Sequence, residues 1–103
     1  MTEPNPAFLA HLLKRADMSA VPQALQSGLA HYCAARRPMG SFLTAVVSND
    51  LYEAIARADQ DSRLGLANVV FFLYNYAPGE CWGSPEKVAA WLGSQDPVPE
   101  NFD

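Results

Sequence analysis

Proline and glycine cut this chain into short lengths, and that spacing limits what it can fold into more than any other feature. Pro6, Pro22, Pro38, Pro78 and Pro85 recur along it. Proline lacks the amide hydrogen and crowds the preceding turn, so it opens a helix or sits in a turn but interrupts the middle of one. The stretches between are therefore short, and the spacing of their apolar residues decides their type.

In "NPAFLAHLLKRAD", Asn5 is a cap, Pro6 suits the first helical position, and Phe8, Leu9, Leu12 and Leu13 share one face. Lys14 and Arg15 stand near the negative end of that helix. A second helix starts at Pro22 and runs through "QALQSGLAHYCAARR", with Leu25, Leu29, Tyr32 and Cys33 on a stripe. Gly28 inside it costs about 1 kcal/mol relative to alanine, so it either admits a close helix neighbour or weakens the helix. Pro38 and Gly40 force a turn.

The third helix reads over 41–58, capped by Ser41, with Phe42, Leu43, Val46, Val47, Leu51, Ile55 and Ala58 at helical spacing; a break follows over 59–62. The fourth segment, "LGLANVVFFLYNYAPG", has residues that also suit strands, but its length and its neighbours favour a helix ended by Pro78 and Gly79. It is apolar nearly all round, interrupted by Asn68 and Asn75, which suits the central helix of a bundle or an oligomer interface. "GSPEKVAAWLG" is a compact fifth helix, with Ser84 as cap, Pro85 first, Glu86 near the positive end and Gly93 as its stop. These readings give an all-α fold, a small bundle of about five helices forming a single domain over 1–103. A short N-terminal arm (1–5) and an acidic, extended or frayed tail (94–103) flank it.

The 103 residues are enough for one compact core, and 50% apolar with 17% charged residues is globular composition. A net charge of −4 argues against direct nucleic-acid binding, which needs Lys and Arg to displace counterions. The acidic residues are scattered, which favours simple solubility over nucleic-acid mimicry. Cys33 and Cys81 lack CxxC spacing, so the expectation is two reduced, buried thiols in a bacterial-type cytoplasm, with neither zinc nor redox pair. "MTEPNPAF" lacks a basic region followed by an apolar one, and no apolar run approaches about 18 residues, so neither signal peptide nor membrane partner is expected.

The chemistry concentrates around "RRPMGSFLTAVVSND". On a continuous helix Asp50 falls among Leu43, Val46 and Ala54, in the middle of the apolar sector, with Arg57 two turns later on the same side. A carboxylate buried there needs a partner, for which Arg57, Arg36 and Arg37 are available. It is either structural, as a buried ion pair or an Asp bonded to a neighbouring turn, or part of a polar pocket. The turn adds backbone amides behind Gly40 and Ser41, the general means of holding an anion at a helix start, and Arg36 and Arg37 add bidentate donors; an ordinary corner has the same composition. Asn68 and Asn75 with Tyr74, Tyr76 and Trp82 are candidates for stacking and hydrogen-bonding a ring, although Tyr74 and Trp91 read more readily as packing. Trp82, in the loop "PGECWGSP", either plugs the bundle end or faces a ligand or partner. His11 and His31 read as boundary or surface residues. No base, nucleophile or metal set is evident, which leaves a non-enzyme without cofactor.

The run from "VPQALQSGLAHY" through "RPMGSFLTAVVSNDLYEAIARAD" to "LYNYAPGECWGSPEKVAAWL" resembles a widespread family of short proteins of tailed bacteriophages and prophages, over about residues 21–92. The pieces that carry the likeness are "GSFLTAV", "NDL", "RAD" and "CWGSPEKV". The family brings no agreed activity, but a phage origin implies an accessory, counter-defence role. Two expectations follow. In one, a homo-oligomer sequesters a small anionic ligand such as a nucleotide immune signal. Gly40 and Ser41 with Arg36, Arg37 or Arg57 hold phosphate, Asn49 and Asp50 read polar edges, and Tyr76 or Trp82 stacks. In the other, the chain inhibits a host defence protein, as anti-CRISPR proteins do, through Glu53, Asp59 and Asp61 with Trp82 as hot spot.

Overall fold

The computed structural model describes residues 5–98, and among them every regular element is helical. There are seven α-helices rather than about five: α1 (Pro6–Lys14), α2 (Gln23–Ala35), α3 (Ser41–Val47), α4 (Leu51–Arg57), α5 (Gln60–Leu64), α6 (Leu66–Tyr76) and α7 (Pro85–Gly93). Short 3-10 turns at Ala16–Ala20 and Gly79–Cys81 join α1 to α2 and α6 to α7. Among the described residues no helix is long and apolar enough to cross a membrane.

The ends of the chain follow their local signals. Asn5 Oδ1 accepts the Phe8 amide at 3.0 Å and Pro6 opens α1; Ser84 Oγ accepts the Lys87 amide at 3.1 Å and Pro85 opens α7. Each cap satisfies a donor that the helix itself leaves free. The buried face of α1 is narrower than its apolar stripe, comprising Phe8 and Leu12 while Leu13 stands in solvent.

The expected helix over 41–58 is two helices. Asn49 adopts a left-handed conformation (φ 62°), its amide and that of Asp50 return to the Val46 and Ala45 carbonyls, and Asp50 then caps α4 by accepting the Glu53 amide at 3.1 Å. Asn tolerates the left-handed region, and Asp competes with the helix as an N-cap, so the pair stops one helix and starts another. The break takes Leu51 and Ile55 off the apolar face: both are exposed, and only Ala54 of α4 is buried. A further short helix, α5, replaces the expected break over 59–62, capped by Asp59 on the Ser62 amide at 2.7 Å.

The core gathers Phe8 and Leu12 of α1, Leu29, Tyr32 and Cys33 of α2, Val47 of α3, Val69, Phe72 and Leu73 of α6, and Trp91 of α7. Tyr32 donates to the Cys81 carbonyl at 2.7 Å and Trp91 Nε1 to the Tyr32 carbonyl at 2.8 Å, so both buried polar tips are satisfied. Cys33 and Cys81 are free and buried as expected. A hydrogen bond with the Cys81 thiol and burial push the Cys33 thiol well above its usual range, which keeps it protonated.

Two glycines behave oppositely. A Cβ on Gly65 would lie 2.4 Å from Pro22 Cγ, so the α5–α6 junction passes against α2 only because that residue has no side chain. Gly28, by contrast, has nothing within 4 Å of where its Cβ would be; no helix approaches it. The fourth apolar segment, now α6, is not central either: Val69, Phe72, Leu73 and Tyr76 face inward while Val70, Phe71 and Tyr74 are exposed. At the other end Val98 is buried, so the first part of the expected frayed tail is docked. Residues 1–4 of the arm and 99–103 of the tail lie outside the described residues.

Candidate functional site

Arg36 is not available to a phosphate. It ends α2 in the left-handed conformation (φ 55°), which turns its side chain onto α7, and it is only 8% exposed. Its guanidinium lies 3.9 Å from the centre of the Trp91 ring, donates to the Trp91 carbonyl at 3.1 Å and to the Pro97 carbonyl at 3.4 Å. The cation thus meets the negative end of α7 and an aromatic face, both of which favour positive charge. It clamps α7 and the 94–98 segment to the end of α2. The cavity of about 310 Å³ beside it also carries Glu80 and Asp96, which oppose an anion there. Arg37 is exposed and lines none of the three clefts described.

Asp50 corrects a second expectation. The break at 48–50 places it in solvent as the cap of α4, so of its expected roles only the bond to a neighbouring turn holds, made at the surface rather than in the core; Asn49 is the exposed turn residue beside it. Arg57 is exposed as well, and its partner is Glu53, whose Oε1 takes the Nε hydrogen at 2.6 Å one turn away. Such a surface pair contributes little to stability.

Tyr76 is no stacking platform. It is buried, its hydroxyl donates to the Asp17 carboxylate and accepts from Arg15 at 3.2 Å, and the Arg15 guanidinium lies 4.6 Å from its ring centre. This Arg15–Tyr76–Asp17 network spans about sixty residues of sequence, and no local spacing announces it. Trp82 is half-buried, packs against the core, and meets Tyr74 edge-on at 6.4 Å. Tyr74, read as packing, is exposed; Trp91, read the same way, is buried.

What does converge is a smaller set. Gly40, which stands at the N-cap of α3 in place of the expected Ser41, Ser41 as the first residue of α3, and Arg57 from the end of α4 line one cleft of about 450 Å³, floored by Phe42 and Leu43. Leu25 and Gly28 of α2 form its other wall, with Met39 beside them. The bare Cβ positions of Gly28 and Gly40 leave that wall open. Asp59, on the same cleft, caps α5, and the Ser62 amide holds its carboxyl below the usual range, so it stays ionised and offsets part of the Arg57 charge. Glu53 occupies only the Nε of Arg57, so both Nη groups have no protein partner among the described residues. α3 has seven residues, too short for its dipole to hold an anion alone. Charge for a ligand must therefore come from Arg57.

Gly28 was the one sequence signal for the α2 wall: an interior helix glycine with no packing reason. Leu25 and Met39 gave none, because their apolar character is equally that of core. A broader cleft of about 1200 Å³ is lined by Lys14, Arg15, Asp59 and Asp61. There Arg15 is engaged with Tyr76, and Asp59 and Asp61 set two carboxylates against Lys14, which opposes an anion. Of the acidic set proposed for docking on a protein, Glu53 and Asp59 are engaged as described, and Asp61 is exposed. Among the described residues no group of three His, Cys, Asp or Glu side chains is placed to hold a metal. Comparison with known proteins finds no match to this chain among protein-family models, curated proteins or solved structures.

Proposed function

We propose that this chain is a non-enzymatic binding protein that sequesters a small anionic, nucleotide-like ligand in the cleft between α2, the turn before α3 and the end of α4. One observation carries it: Gly40, Ser41 and Arg57, singled out for anion chemistry from separate segments, line one cleft of about 450 Å³. That volume lies within the roughly 300–1,000 Å³ of small-molecule sites, and its mixed apolar and polar lining is of the usual kind.

The roles follow from the geometry. The Nη groups of Arg57 are free to take a phosphate in bidentate fashion, while Nε stays with Glu53. Phe42, Met39 and Leu25 offer an apolar surface to a ring, and the Ser41 hydroxyl adds a polar contact. Arg36, Asn49, Asp50 and Tyr76 drop out of the site, being occupied in caps, clamps and the core. With the phage-type signature, the biological role is counter-defence in the bacterial cytoplasm: a protein that lowers the free level of a nucleotide signal by affinity and abundance, without turnover.

Titration calorimetry with AMP, a cyclic dinucleotide and inorganic phosphate tests this. At least one of the three binds the wild type, and Arg57→Ala weakens that binding tenfold or more. Silence with all three probes, or affinity that survives Arg57→Ala, removes the proposal. The inhibitor of a host defence protein remains second, favoured by the half-buried Trp82 beside exposed Tyr74. Its test is capture of the defence protein by wild type against Trp82→Ala, where equal capture counts against it.

A further inference from the structure

Arg57 and Asp59 line the same cleft without pairing with each other. Among the described residues Arg57 is bound by Glu53, while Asp59 takes the Ser62 amide on Oδ1. Ala58 between them is extended (φ −76°, ψ 136°), a conformation that sets residues two apart on one side of the chain. Their Cα atoms are at most about 7 Å apart, since the chain advances no more than that over two residues. The cleft thus holds a cation and an anion side by side, and no other Lys or Arg lines it. The Ser62 amide leaves Asp59 Oδ2 without a protein partner among the described residues, an acceptor open to a donor on a ligand.

We propose that Asp59 is the specificity-determining residue of this cleft, restricting it to nucleoside monophosphates, whose ribose hydroxyls it accepts. The inference rests on the reading of the cleft as a nucleotide site and adds the class of nucleotide.

The order of groups along a nucleotide is the first reason. Ribose is bonded directly to phosphate, and the base lies beyond it. With the phosphate on the Nη groups of Arg57, ribose is the part that meets an acceptor two residues away. The base is left for the apolar surface of Phe42, Met39 and Leu25. Charge is the second reason. An ionised carboxylate holds an uncharged hydroxyl strongly and repels a phosphate. A second phosphate set between Arg57 and the ribose faces Asp59 and carries the hydroxyls past their acceptor. Placed on the other side of Arg57, it meets Glu53, which already occupies Nε.

Titration calorimetry in metal-free buffer tests this with AMP, ADP, ATP and the 2′-deoxy and 3′-deoxy forms of AMP, on wild type and Asp59→Asn. Asparagine caps a helix as well as aspartate does, so α5 is kept, and an unchanged thermal midpoint verifies it. Asp59→Ser, also a cap, takes its place if the midpoint falls. In Asp59→Asn an amide donor replaces the free acceptor, and the charge is gone. The wild type binds AMP about tenfold or more tighter than ADP, ATP or at least one deoxy form, the worth of a hydrogen bond to a charged group. In Asp59→Asn both gaps close. A wild type that binds ADP or ATP as tightly as AMP overturns the inference, and so does indifference to both hydroxyls or a gap that Asp59→Asn leaves unchanged. The role of Arg57 survives those outcomes, whereas silence with every nucleotide removes the nucleotide reading and this inference together.

Discussion

Arg36 and Arg57 bear the same side chain, yet one is sealed between Trp91 and two carbonyls and the other stands in solvent beside a cleft. Both looked like anion ligands because arginine is always charged and suits phosphate. The structure separates them by what else the cation touches. At Arg36 the fold takes up Nη1 and Nη2 and, among the described residues, leaves the buried Nε without a partner, so little is left for a ligand. An exposed one keeps donors free. A buried arginine is thus a stability residue until an unoccupied anion site is shown at its head, and the working cation of a small domain is sought at the rim.

The sharpest way to break that contrast is Arg36→Ala. It removes a stacked cation and two charge-assisted bonds at a buried position, at a cost of about 3 kcal/mol. That is a fall of roughly 12–24 °C in the thermal midpoint for a domain of this size. Arg36→Lys recovers only part of it, because an ammonium lacks the planar fork. A midpoint within a few degrees of wild type would show that the clamp contributes little.

Next come the two glycines, which should move stability in opposite directions. Gly65→Ala drives a methyl into the Pro22 ring and costs about 1–3 kcal/mol. Gly28→Ala meets nothing, so it raises stability by up to about 1 kcal/mol through helix propensity while narrowing the cleft. Thermal melts with parallel titration of AMP separate the effects: a more stable Gly28→Ala protein that binds less tightly is the expected result. Equal affinity would mean that the α2 wall does not meet the ligand.

Arg57→Ala should be nearly silent in stability, because it breaks only a surface pair. Its large effect is on binding, the reverse of Arg36. Chemical-denaturation midpoints for the two variants give that contrast a number.

The smallest effect is a slope in pH. Burial, more than the neighbouring thiols, raises the Tyr32 phenol above its ordinary 10.0. The folded form therefore keeps its proton where the unfolded chain releases it. The contribution is whole below pH 10 and is lost as pH rises beyond it, a few tenths of a kcal/mol at pH 10 itself. The raised Cys33 thiol acts in the same direction from about pH 9. Urea midpoints between pH 8 and pH 11 should fall less steeply for Tyr32→Phe than for wild type, and parallel curves would assign the slope to Cys33.

α1 and α7 were legible because their signals are local: a cap and a proline within two residues, acting on amides three or fewer positions away. The α3–α4 break was also written, in Asn49 and Asp50, but the apolar spacing of Leu51 and Ile55 argued for continuity, and the periodicity was false. A run of apolar residues reports what a helix can bury, not what the rest of the chain is placed to cover. α6 repeats the point, since its apolar surface is real on both sides and only one side found a neighbour. Of the proposed site, the residue types at Gly40, Ser41 and Arg57 were readable, and so was the oddity of Gly28. Their meeting in one cleft was not.

By itself the sequence determined an all-α chain, where most of its helices open, and that its two cysteines would be buried thiols. Those properties depend on backbone donors, fixed proline angles and apolar content, all of which act over a few residues or over the whole composition. Only the tertiary structure decided which arginine is spent on the fold, that Tyr76 is held by Arg15 and Asp17, and that Arg57 shares a cleft with Gly40 and Ser41. The physical reason is range: a side chain's partner is set by the direction in which its helix leaves the last turn. A single left-handed residue such as Arg36 or Asn49 changes that direction by more than any local preference records.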